Sequence, residues 1–99
     1  MKPIIFHPEA RLELTKAGRD YAQISPALGQ RFYVAMDKLI AEVRAQPALR
    51  RMFEPPARRH FRKPFPYAII YLDRPDEVYV VAVMPLRKEP GYWKHRLTG

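Results

Sequence analysis

Four cations, Arg58, Arg59, Arg62 and Lys63, stand just ahead of two prolines and the uncharged run Tyr67-Ala68-Ile69-Ile70-Tyr71. A second basic group, Arg87, Lys88, Lys94 and Arg96, is interleaved with Tyr92 and Trp93. Guanidinium and ammonium groups hold phosphates or carboxylates, and aromatic rings among them stack on bases or on cations. The chemistry available to these residues is therefore anion recognition first. Trp93 has a plainer reading, in which so large a ring folds back to cover an edge of the core.

Composition narrows the partners. The formal charge of +8 is located, not spread: residues 50–63 hold six cations against Glu54, residues 87–96 hold four against Glu89, and the remainder is neutral. If the two segments meet, they form one footprint suited to nucleic acid or to an acidic protein. With no cysteine, disulfides, thiolate metal sites and cysteine nucleophiles are excluded. His7, His60 and His95 are too scattered for a metal centre, no cofactor is implied, and His60 and His95 read as surface or loop residues. No apolar run approaches the roughly 20 residues of a membrane helix, and the N-terminus lacks a signal-length apolar core. A soluble cytoplasmic protein of one domain, residues 1–99, is expected.

Positioning the basic groups requires a scaffold, and periodicity supplies one. Ile4, Ile5 and Phe6 read as a first strand. Ala10, Leu14, Ala17, Tyr21 and Ile24 recur at steps of three and four, predicting a helix over 9 to about 23 that Gly18 weakens by up to about 1 kcal/mol. Ser25-Pro26 is a start signal for a second helix carrying Leu28, Phe32, Ala35 or Met36, Leu39 and Val43, stopped at Gln46-Pro47. The two form an antiparallel hairpin. Residues 48–57 are a loop or short edge strand, and 58–63, 67–72 and 78–84 are strands, the last two central. The fold class is α+β: strand, helical hairpin, then a three-stranded antiparallel meander in one sheet, with a basic aromatic tail opened by a Pro90-Gly91 turn.

The helical hairpin, the basic run before Phe65-Pro66-Tyr67, the apolar strand ended by Tyr71, and the ending Arg87-Lys88-Glu89-Pro90-Gly91-Tyr92-Trp93-Lys94-His95-Arg96 together resemble the RelE/ParE superfamily of bacterial toxin-antitoxin toxins. The likeness covers nearly the whole chain. It implies a toxin that arrests growth when free and is neutralised by a cognate acidic antitoxin, with plasmid stabilisation as the associated role. RelE-like members cleave mRNA on the ribosome; ParE-like members inhibit DNA gyrase and are not hydrolytic enzymes.

An RNA-cleaving site needs a base, a proton donor and cations on the developing phosphorane. Within the resemblance, Arg59, Arg62, Arg87 and Tyr92 are the catalytic candidates of the nuclease reading. Where RelE-like nucleases carry an arginine just after the mid-strand tyrosine, however, this chain has Ala68, and where many relatives carry a histidine it has Pro85. Arginine stays protonated and is a poor base. The favoured reading is thus a ParE-like, non-enzymatic toxin aimed at a protein, with DNA gyrase foremost. Its target or antitoxin contacts are Arg58, Arg59, Arg62, Lys63, Arg87, Lys88, Tyr92, Lys94 and Arg96. A ribosome-dependent mRNA endonuclease and an inactive binding domain are the alternatives.

Overall fold

The structure, a computed structural model, describes residues 1–89 and 91–98. Its elements run β1 (Ile4–Phe6), α1 (Pro8–Ile24), α2 (Pro26–Ala45), a 3-10 turn (Pro47–Leu49), β2 (Met52–Glu54), β3 (Ala57–Phe61), β4 (Tyr67–Asp73), β5 (Val78–Pro85) and a final 3-10 turn (Lys94–Arg96). The strands form one sheet in the order β1-β5-β4-β3-β2, antiparallel except where β1 lies parallel to β5. The α+β class and the order of elements are as the sequence reading has them, and the segment 48–57, expected as a loop or short edge strand, supplies β2 at the edge.

Local chemistry places the helix boundaries. The Ser25 hydroxyl accepts the Leu28 N–H at 3.0 Å to open α2, while the Ser25 N–H donates to the Tyr21 carbonyl and closes α1. At the start of α1, His7 Nδ1 accepts the Glu9 N–H at 3.1 Å. Gly18 does more than weaken its helix: the Tyr33 ring of α2 occupies the space a Cβ would need, and a Cβ on Gly29 would stand 2.7 Å from that of Ala22. The two glycines let the helices close on one another. Ile24, expected in the buried stripe of α1, is 74% exposed because it lies on the last turn, beyond the sheet-facing residues Ala10 and Ala17.

Both faces of the sheet are covered. Against one lie α1, over β5, and α2, over β3, with Phe32, Met36, Leu39 and Val43 meeting Ile69, Tyr71, Val78, Val80 and Val83. The other face carries Ala68, Ile70, Leu72, Tyr79, Val81, Ala82 and Met84, packed against Trp93 with Tyr92 and Leu97 from the tail. A register shift pairs Ile70 with Ala82 and Tyr71 with Val80, so Val81 is an extra residue and the alternation of β5 resets. Two buried faces explain why β4 and β5 read as continuous apolar runs. The predicted Pro90-Gly91 turn falls partly outside the described residues; Gly91 itself has φ of 100°, where only glycine sits without strain.

Candidate functional site

Alternation along β3 divides the first basic group between two faces. Arg58 and His60 point to the helices, and Arg59 to the tail face, where its guanidinium lies 4.7 Å from the Phe53 ring centroid and 5.3 Å from that of Phe61. Arg58 is half-buried and donates to the carbonyls of Arg50 at 2.7 Å and Ala48 at 3.4 Å, tying the segment after α2 to the sheet. Beside it the buried Tyr71 donates its hydroxyl to the Pro47 carbonyl at 2.6 Å, and burial pushes its pKa up to about 12. Arg62, just beyond β3, reaches Glu42 of α2 at 3.0 Å.

His60 is not a surface residue. It is buried in β3 with Nε2 2.8 Å from Glu42 Oε1, because the carboxylate stands on the sheet-facing side of α2. The His60 hydrogen bond, then the Arg62 charge, holds the Glu42 carboxyl below the usual carboxylate range despite partial desolvation.

The second basic group divides differently. Arg87 and Lys88 line a shallow cleft of about 250 Å³ with Glu13, Lys16, Asp20, Tyr67 and Pro85, between α1 and the ends of β4 and β5. Lys88 Nζ lies 4.3 Å from the Tyr92 ring centroid. Lys94 extends to Glu54 of β2 at 2.9 Å. Arg96 is only 5% exposed: its Nη1 and Nη2 donate to the Glu13 carboxylate at 2.9 and 3.1 Å, and Nη1 also to the Val81 carbonyl at 3.1 Å. The Tyr92 hydroxyl donates to the same carboxylate at 2.7 Å, and Val83 N–H at 3.0 Å. Burial, followed by the Glu13 hydrogen bond, drives the Tyr92 pKa well above its ordinary value.

Arg59, Arg62, Arg87 and Tyr92 do not converge. Arg59 is stacked on the tail face, Arg62 is paired at α2, and only Arg87 and Tyr92 neighbour one cleft, through Lys88. No histidine lines that cleft; His95 is exposed beside Glu9, 3.3 Å away. Ala68 is wholly buried among the residues beneath Trp93. Among the described residues no group of acidic or histidine side chains has metal-binding geometry, and no helix is long and apolar enough to cross a membrane.

Two residues that organise this surface, Glu13 and Glu42, were missed in the sequence reading. Each had a signal. Glu13 stands three residues after Ala10 and four before Ala17, and Glu42 three after Leu39, so both interrupt buried stripes. A carboxylate in such a position needs a cation or donor brought to it from elsewhere in the chain.

Comparison with curated protein sequences gives no match. Among solved structures, the chain is similar to one described as the chromosomal ParDE TA system from P. aeruginosa, with a TM-score of 0.65, 12% identity, and coverage of 88% of this chain and 98% of that one. The profile of the family described as ParE toxin of type II toxin-antitoxin system, parDE, matches residues 4–90. On that match, which spans the whole helical hairpin and the entire sheet, the chain belongs to the ParE toxin family of type II toxin-antitoxin systems.

Proposed function

We propose that this toxin acts by binding a protein, with DNA gyrase as the target, and that an acidic antitoxin neutralises it in the cytoplasm. The observation that carries the reading is the dispersal of the four groups a nuclease site would need, with Ala68 closed under the tail and no imidazole at the Arg87 cleft. Tyr92 supports it too. Its hydroxyl is spent on Glu13 and its proton is held more tightly than in free tyrosine, the wrong direction for a base near neutral pH.

Antitoxin recognition draws on a second surface. An apolar hollow between α2 and the Pro64-Phe65 segment, lined by Ala27, Val34, Ala35 and Phe65 together with Arg31 and Lys38, fits an acidic amphipathic segment. The experiment is induction of the chain in growing bacteria with parallel readings of DNA-damage signalling and mRNA decay. Arrest accompanied by DNA damage, and relieved by the cognate antitoxin, is the expected result; rapid mRNA decay without DNA damage argues for the endonuclease instead.

A further inference from the structure

Where the chain turns from β3 into β4, a second apolar hollow of about 460 Å³ is lined by Phe61, Lys63, Pro64, Phe65, Pro66 and Leu86. Phe61 is 43% exposed and Leu86 37%. Single apolar side chains on a surface are ordinary, but here two of them wall one concavity with three prolines or rings between them. The charges around it have one sign. Lys63 is in its lining, Arg59 lies over the Phe61 ring, and Arg87 follows Leu86 and shares Pro66 with the adjoining cleft. Among the described residues no carboxylate lines the hollow, and none of these three cations makes an ion pair within the chain.

We propose that this hollow is the docking site for a segment of the target protein that presents one bulky apolar side chain flanked by carboxylates. The inference rests on the reading that the chain acts by binding a protein, and it specifies the surface and the partner's chemistry. The apolar side chain would supply most of the affinity by leaving water, while the exposed cations set orientation and speed of encounter. Single-stranded nucleic acid fits less well, because of the two rings in the lining only Phe61 is exposed, and one ring offers no succession of stacking platforms. A second copy of the chain is disfavoured by like charge, since the rim is cationic and the whole chain carries +8.

The test is a chemical-shift titration of the isotopically labelled full chain. Its probes are a synthetic peptide with one tryptophan among glutamates, the same peptide with lysines, and a short single-stranded oligonucleotide. The acidic peptide is expected to shift Phe61, Lys63 and Leu86 foremost. Phe61→Ser and Leu86→Ser should each weaken it about tenfold or more, as loss of a buried apolar contact does, while Leu12→Ser on exposed α1 surface changes nothing. No binding, shifts centred on the α2 hollow instead, equal binding of the lysine peptide, or preferential binding of the oligonucleotide here each overturn the proposal. Phe61→Ser is also assayed in gyrase supercoiling. If the unaltered chain inhibits and the variant inhibits equally, the hollow is not the contact and the gyrase reading stands; if the unaltered chain does not inhibit, the gyrase reading fails and the titration still decides the hollow.

Discussion

Arg96 and Glu13 meet at the open edge of β5, beyond the short stretch that β1 covers, with Nη1 2.9 Å and Nη2 3.1 Å from the two carboxylate oxygens. The pair also satisfies the carbonyl of Val81, the extra residue in β5, and the Val83 N–H two residues on, backbone groups that would otherwise invite another strand. One carboxylate from α1 thus joins helix, sheet edge and tail.

Removing Arg96 leaves that carboxylate partly buried and uncompensated. Arg96→Met should cost about 3 kcal/mol, in line with breaking a buried ion pair, read as a shift in the urea midpoint. Exchanging the two residues, Glu13→Arg with Arg96→Glu, should fail to restore stability, because Val83 N–H and the Tyr92 hydroxyl still need an acceptor on α1.

Trp93 is wholly buried against Ala68, Ile70 and Met84, with Phe53 at a ring-centroid distance of 5.9 Å. Trp93→Ala should destabilise by on the order of 3 kcal/mol through the cavity it leaves. Trp93→Phe should cost less, since it keeps a ring and removes an indole N–H that has no partner among the described residues. Equilibrium denaturation of the two variants checks the order.

The basic residues of β3 should separate by face. Arg58→Glu sets a carboxylate against the Arg50 and Ala48 carbonyls and should lower stability by about 2 kcal/mol. Arg59→Glu should change stability by less than about 1 kcal/mol and still weaken growth arrest. Melting temperature and plating efficiency, measured on both variants, distinguish a structural arginine from a contact arginine.

Glu42 gives stability an acid-side dependence. Its folded pKa lies below the ordinary carboxylate range, so the unfolded chain binds the proton more readily and unfolding is favoured as pH drops. The contribution is fully present above the unfolded value and is lost as pH falls through the folded one. Thermal unfolding between about pH 3 and pH 6 should show a shallower acid loss in Glu42→Gln than in the unaltered chain; identical slopes would count against the Glu42–His60 link.

Much of the fold was legible because the signals were local. Ser25-Pro26 states both a stop and a start, and the apolar runs of β4 and β5 declare strands covered on two sides. The partition of the cations was not legible, because it depends on partners distant in the chain. Arg58, Arg62 and Arg96 have the same composition signature as Arg59 and Arg87, yet the first three are engaged by Arg50, Glu42 and Glu13. Only the carboxylates at core spacing on α1 and α2 hinted at this, and they name the need for a partner without naming which arginine meets it. The extra residue at Val81, which aims Val83 at Glu13, leaves no mark in an all-apolar strand.

The central claim, that the chain binds a protein and does not cut RNA, is tested most directly by purified gyrase acting on relaxed plasmid, beside translating ribosomes loaded with mRNA. Supercoiling blocked by the chain with the mRNA left intact is the predicted result. Cleaved mRNA with supercoiling unimpeded would contradict it.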